Sequence, residues 1–277
     1  MIDYHLHPNW TSDGKNSVEE MCEKALNLGL KEIAFVPHLI IKKFKEVKGW
    51  KEEWIRTSTL NKKTLRLYVK DVERVMSEFD LKILVGLEVD YFEGKENELK
   101  KILKEYEFDI ILGSVHFLGN YSIASYESAV LFWKKHRNVY TVFEKYFKLL
   151  KKAIESNLFD VMAHPDVIRR FVGKVRFDKY KESIMKVVDS LKENGVGIEI
   201  NTSGLMHPVK DIYPSENFLK ICREWGINKI TIGSDAHCVD DIYFGITKGL
   251  EIAKTVSYTH LRAHETRHDL VCRLLLE

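Results

Sequence analysis

Short apolar runs alternate along the chain with longer stretches whose apolar residues recur at helical spacing. Ile2–Leu6, Glu32–Val36, Ile83–Val89, Asp109–Val115, Asp160–Ala163, Gly197–Asn201 and Ile230–Gly233 read as strands. Asp109–Val115 is apolar nearly throughout, the pattern of a strand covered on both faces. Between the strands, Ser17–Leu28, Leu60–Phe79, Glu96–Tyr106, Val139–Ile154, Tyr180–Glu193 and Ser215–Glu224 read as helices. Ser17-Val-Glu-Glu20 is a capping box, and Gly29 ends that first helix. Another helix is expected to start near Ile242, and Ile40–Asn61 reads as irregular, basic and aromatic, with Trp50 and Trp54.

Strands that alternate with helices imply a parallel sheet with crossover helices. Seven such units in a chain of 277 residues point to one α/β domain, a closed or nearly closed (β/α)7 barrel. A doubly wound open sheet is the alternative, but no Gly-x-Gly-x-x-Gly or P-loop supports a nucleotide fold.

Composition narrows the picture mainly by exclusion. Net charge is +2, so nothing argues for a nucleic-acid or membrane-surface partner. The cysteines Cys22, Cys222, Cys238 and Cys272 form no Cys-x-x-Cys pair, which suggests reduced thiols and a cytoplasmic protein. A signal peptide is not expected, because candidate metal donors begin at residue 5, and no apolar run reaches membrane-spanning length.

The candidate chemistry lies in the histidines. His5 and His7 are two apart, so in a strand they share a face and can reach one ion. Asp13, on the loop after Pro8, is a third possible donor. Outside the last stretch of the chain there are eight histidines. Six of them, His5, His7, His38, His116, His164 and His237, stand at or just beyond the C-terminal end of an expected strand. That end carries the active site in parallel barrels. Glu88 and Asp235 share the location. Alone, each has a structural explanation: a hydrogen-bonded core histidine, or a carboxylate paired with lysine. Nine together imply more than one metal ion, since zinc takes about four ligands and manganese or iron about six. A carboxylate such as Glu88 can bridge two ions, and ions held ~4 Å apart suit displacement at phosphorus. Histidine-rich donors favour zinc, iron or manganese over magnesium or calcium.

The motifs Asp3-Tyr-His-Leu-His7 with Ser12-Asp-Gly14, Gly86-Leu-Glu-Val-Asp-Tyr-Phe92, Gly113-Ser-Val-His-Phe117, Ala163-His-Pro-Asp166, Glu199-Ile-Asn-Thr-Ser-Gly204 and Gly233-Ser-Asp-Ala-His237 resemble those of the PHP (polymerase and histidinol phosphatase) superfamily. Within it they are most similar to the PHP-type histidinol-phosphatases. The resemblance implies a distorted (β/α)7 barrel and a cluster of two to three divalent ions. It implies one ion on His5, His7, Glu88 and Asp235, a second on Glu88, His116 and His164, and a third on Asp13, His38 and His237. Glu88, Asp235 and His237 are then also the expected catalytic residues. The implied reaction is hydrolysis of L-histidinol phosphate, a small phosphomonoester, by a metal-activated water. A phosphodiesterase or exonuclease of the same superfamily, or a metal-bearing domain without activity, are the competing readings.

A guanidinium suits phosphate. Arg169 is the first choice and Arg170 the second, with a solvated helix face as the alternative for either. Asp166 could orient His164 or receive the substrate amine. Two departures from the family pattern stand out. Val36-Pro37 precede His38 where an acidic residue is usual, and Met206 and His207 replace more typical basic residues. His207 reads as a surface histidine or a substrate-loop residue, and the segment from Lys42 to Asn61 as a cover over the site. Finally, Val256–Thr266 resembles the translation of a sequencing adapter, continued by Arg267–Glu277. The PHP domain is therefore assigned to 1–255. Residues 256–277, with His260, His264 and His268, are expected to pack poorly, and their removal to leave activity unchanged.

Overall fold

A computed structural model describes residues 1–41, 47–51, 57–172 and 175–258. Seven parallel strands form one path: β1 (Ile2–Leu6), β2 (Glu32–Phe35), β4 (Lys82–Asp90), β5 (Ile110–Ser114), β8 (Val161–Met162), β9 (Gly197–Asn201) and β10 (Ile230–Gly233). The expected alternation and strand count are present, and the open-sheet alternative is not the one adopted. Every residue of β1, β5, β8, β9 and β10 is buried, as it must be in a sheet covered on both faces. Helices α1 (Val18–Asn27), α2 (Lys62–Val75), α3 (Glu96–Leu103), α5 (Val139–Glu155), α6 (Lys181–Asn194), α7 (Glu216–Glu224) and α8 (Ile246–Thr255) accompany the sheet. The Ser17 capping box is formed, and Asn61 makes a second one for α2. Tyr68 on α2 donates to the carbonyls of Phe35 and Gly86 at 2.7 and 2.9 Å, fastening the helix to two strands.

Four elements were not foreseen. His38–Leu39 forms strand β3, which sets His38 in register with Glu88. Phe117–Leu118 (β6) and Tyr121–Ser122 (β7) make a hairpin, and Tyr126–Lys135 is a helix, α4. The last helix starts at Ile246 rather than near Ile242, because Gly245 adopts a left-handed conformation (φ 69°) at its N-cap.

The barrel seam lies between β1 and the segment after β10. The His7 amide donates to the Ala236 carbonyl at 2.8 Å, and the Ala236 amide to the His5 carbonyl at 3.1 Å. Gly233 allows this approach: a Cβ there would lie 2.3 Å from His5 Cβ and 2.7 Å from Glu199 Oε1. Asp3 seals the joint. Its carboxylate accepts from the Ser234 hydroxyl (2.5 Å), the Ser234 amide (2.9 Å) and the Tyr243 amide (2.9 Å). Among the described residues no helix is long and apolar enough to cross a membrane.

The first residues of the expected tail do pack. Val256 and Tyr258 are buried in the core. These two residues depart from the expected poor packing, and we propose that the packed domain runs through Tyr258; residues 259–277 lie outside the described residues. Two truncations separate the cases. Removing 259–277 is expected to leave the melting temperature and phosphatase activity unchanged. Removing 256–277 is expected to cost about 2–4 kcal/mol of stability in denaturant titration, through loss of the two buried side chains. Equal behaviour of the two would contradict this boundary.

Candidate metal centre

The C-terminal ends of the strands bring all nine expected donors to one place. Four are within ligand spacing of each other. His5 Nε2 and His7 Nε2 are 2.9 Å apart; His5 Nε2 is 3.5 Å, and His7 Nε2 3.4 Å, from both Glu88 Oε2 and Asp235 Oδ1. Donors that each sit ~2.1 Å from one tetrahedral ion stand roughly 3.4 Å apart. A second group uses the other Glu88 oxygen. Oε1 lies 2.7 Å from His164 Nε2 and 3.4 Å from His116 Nε2, and those two nitrogens are 3.2 Å apart. In a third, looser group, Asp13 Oδ2 is 3.2 Å from His38 Nε2 and 3.7 Å from His237 Nε2.

The surrounding hydrogen bonds orient these donors. Glu199 Oε1 accepts from His5 Nδ1 at 2.6 Å, Asp90 Oδ2 from His116 Nδ1 at 3.1 Å, and the Asp235 carbonyl from His237 Nδ1 at 2.9 Å. Each bond commits Nδ1 as the proton carrier and leaves the Nε2 lone pair facing the cluster. Ser114 donates to Glu88 Oε1 at 2.5 Å. His38 is different: its Nδ1 lies 2.8 Å from Glu88 Oε2 without hydrogen-bond geometry, in keeping with the missing acidic neighbour. Buried His7 Nδ1, His164 Nδ1 and Glu88 Oε2 also lack hydrogen-bond partners. Of these, Glu88 Oε2 faces the cluster, and a buried carboxylate oxygen left this way is costly unless something cationic meets it. The donor set therefore fits divalent metal.

Charge coupling is strong. Although burial works against ionisation, His38, His116 and His5 hold the Glu88 carboxyl well below the usual range. Burial lowers the His5 pKa, yet Glu199, Asp235 and Glu88 together raise it well above the ordinary value. His7 goes the other way, to about 3, through burial and its cationic neighbours His237 and His38. The backbone is strained at two donors: His164 (φ 27°) and Asp235 (φ 58°) lie in the left-handed region, at about 1–3 kcal/mol each. Glu199 holds the first through the His164 amide at 2.9 Å, and Ser203 the second through Asp235 Oδ2 at 3.1 Å.

A cavity of about 540 Å³ opens over the cluster, lined by Asp13, His38, Glu88, Asp90, His116, His164, Asp235 and His237 together with Arg170, Ile40, Trp50 and Phe117. A larger one, about 980 Å³, lies behind the β6–β7 hairpin, but its lining holds lysines and aromatics and no cluster of metal donors.

The residues proposed for substrate are placed differently from expectation. Arg169 points away from the cavity: it donates to Asp166 Oδ2 at 2.7 Å, Asp211 Oδ2 at 2.8 Å and the Ile212 carbonyl at 2.6 Å. Asp166 is consumed by Arg169 and by the Ser215 amide (2.9 Å), so it neither orients His164 nor faces a substrate amine. Arg170 is the arginine that lines the cavity. Its Nε is buried without a partner, and burial lowers its pKa. His207 is half-buried, with Nδ1 3.3 Å from the Tyr213 hydroxyl, and burial brings its pKa down to about 4.

Residues 3–203 match the model of the PHP domain. The chain belongs to the PHP family. This PHP protein is 26% identical over 267 residues to the "Probable histidinol-phosphatase" of Deinococcus radiodurans, an alignment covering 94% of this chain and 97% of the relative. A Listeria monocytogenes protein of known crystal structure superposes with a TM-score of 0.79 at 26% identity, covering 90% of this chain and 99% of its own. The Lactococcus lactis histidinol phosphate phosphatase, crystallised with zinc, L-histidinol and phosphate, superposes equally well (TM-score 0.79) at 20% identity, over 94% and 95% of the two chains. The PHP fold is thereby shared along nearly the whole length.

Glu199 and Asp90 were not singled out from the sequence, yet a strand-face rule finds them. Asp90 stands two residues after Glu88 on β4, and Glu199 two before Asn201 on β9. Glu199→Gln is expected to weaken metal affinity by about 10–100-fold, measured by competition with a chromogenic chelator. Unchanged affinity would show that the His5 contact does not tune the site.

Proposed function

We propose that this PHP protein is a metal-dependent phosphomonoesterase that hydrolyses L-histidinol phosphate to L-histidinol and phosphate. The observation that carries the reading is the convergence of nine nitrogen and oxygen donors, seven of which line one cavity, together with Arg170, whose buried Nε has no hydrogen-bond partner, in the same lining. The names of the relatives supply the substrate. His5, His7, Asp235 and one Glu88 oxygen would hold one ion. The other Glu88 oxygen, His116 and His164 would hold a second, and Asp13, His38 and His237 a third. Zinc, manganese and iron suit these donors, as two to three ions. Bound there, divalent metal supplies Lewis acidity toward the phosphoryl oxygens and activates water as the nucleophile.

The chain's own residues do the rest. Arg170 offers a fork of donors to the phosphoryl oxygens, and its burial strengthens that contact by keeping water away. Glu199, Asp90 and Ser114 keep the donors oriented with their lone pairs forward. Asp166 and Arg169 form a buried pair that braces the loop from which Arg170 projects. The free cysteines Cys22, Cys222 and Cys238 are consistent with a cytoplasmic setting.

A panel of histidinol phosphate, p-nitrophenyl phosphate, a phosphate bis-ester and single-stranded DNA, each with zinc, manganese or iron, tests the reading. Turnover of the two monoesters, with histidinol phosphate strongly preferred, is expected; turnover of the bis-ester or DNA alone would overturn it. In the same assay Arg170→Ala is expected to raise KM by roughly tenfold to a hundredfold. Arg169→Ala should instead cost about 3–5 kcal/mol of stability by stranding Asp166.

A further inference from the structure

The two oxygens of Asp235 keep different company. Oδ1 stands 3.5 Å from His5 Nε2 and 3.4 Å from His7 Nε2, among the donors. Oδ2 stands 3.4 Å from Asn201 Nδ2 and 3.1 Å from Ser203 Oγ. A carboxylate can bind a cation through one oxygen or both, so whatever occupies the second oxygen decides which. Asn201 ends β9 and is fully buried. The direction of its amide is fixed by its neighbour. The Ser203 backbone N–H can only donate, and it lies 3.1 Å from Asn201 Oδ1. The side-chain oxygen therefore points to Ser203, and Nδ2 turns to the carboxylates. One Nδ2 hydrogen meets Glu199 Oε2 at 3.1 Å, and the other is left for Asp235 Oδ2. Ser203 has one hydroxyl hydrogen for two acceptors, Asn201 Oδ1 at 2.6 Å and Asp235 Oδ2 at 3.1 Å, whereas the Asn201 amide has a hydrogen for each carboxylate.

We propose that Asn201 is a positioning residue for the ion that His5, His7 and Asp235 would hold: by keeping Oδ2, it makes Asp235 a ligand through Oδ1 alone. The proposal rests on the metal-dependent reading of the site. Glu199 Oε1 accepts from His5 Nδ1 at 2.6 Å, and Glu199 Oε2 accepts from Asn201. Contacts therefore run from His5 Nδ1 through Glu199 and Asn201 to Asp235, and they return at Asp235 Oδ1, beside His5 Nε2. The two ligand atoms are fixed relative to each other from behind. An amide suits the middle of this chain. It has two donors for two carboxylates and carries no charge, so the negative charge of Asp235 stays available to a cation. A lysine in its place would compete with that cation. Asn201 also reaches the second group of donors, because the Glu199 oxygen that it meets accepts from the His164 amide as well, at 2.9 Å.

Two measurements test this, and neither needs a substrate. In crystals of the zinc-loaded wild type, Asp235 is expected to meet its ion through Oδ1 at about 2.0–2.2 Å, with Oδ2 still on Asn201 Nδ2. Both Asp235 oxygens on the ion, or Oδ2 parted from Asn201, overturns the proposal. The second measurement is zinc affinity, by competition with a chromogenic chelator, on variants whose metal-free melting curves show them folded. Asn201→Leu keeps the branched shape of the side chain and removes both donors; its affinity is expected to fall about tenfold to a hundredfold. Asn201→Ala, the second variant, is expected to fall in the same direction. A residue that only filled space would lower the metal-free melting temperature and leave the affinity of the folded protein alone. Affinity within about threefold of wild type in a folded variant therefore overturns the proposal. Failure of the underlying reading looks different: the wild type itself would then retain no zinc at these donors.

Discussion

Glu88 is a carboxylate 1% exposed with five imidazoles within 3.5 Å of its oxygens, those of His5, His7, His38, His116 and His164. The protein's function depends on how that crowd is satisfied. Protons can neutralise part of it: His5 and His38 are pushed up by their carboxylates, while His7 is pushed down to about 3 by burial and its neighbours. Nearby imidazoles cannot all be charged, and their inward lone pairs cannot all find donors. Divalent cations held by these residues would resolve both problems together, since their binding would displace protons.

The barrel makes this crowding possible. Donors come from the ends of β1, β3, β4, β5, β8 and β10, so no single loop must fold around an ion. The seam between β1 and the segment after β10 brings His5 and His7 to Asp235, and it closes only because residue 233 has no side chain. Strained backbone at His164 and Asp235 is tolerated because Glu199 and Ser203 grip those residues from behind. Glu199 therefore acts on two elements, orienting His5 and holding His164.

Much of this was legible in the chain itself, for a physical reason. Period-2 geometry makes His5 and His7 neighbours in any strand, and a buried parallel strand must be apolar until it reaches its functional end. Hence the seven strands, and the strand ends at which the histidines gather, could be read directly. What could not be read depended on competition between partners. Arg169 and Arg170 are identical in type and adjacent in sequence, and only the positions of Asp166, Asp211 and the Ile212 carbonyl turn Arg169 inward and leave Arg170 for the cavity. The β6–β7 hairpin and α4 were missed because the two strands are only two residues each and the apolar residues of α4 run together from Ala129 to Trp133 instead of recurring at helical spacing. Tyr258 lies in the stretch that reads as foreign, yet it is buried in the core, a contact that no local pattern announces.

The account stands on Glu88 as a shared ligand, and anomalous diffraction from crystals of the zinc-loaded protein measures that directly. The prediction is two to three peaks per chain, with each Glu88 oxygen about 2.0–2.2 Å from a different one. Zinc bound at full stoichiometry with no peak in contact with Glu88, or no zinc retained in the cavity at all, would contradict it.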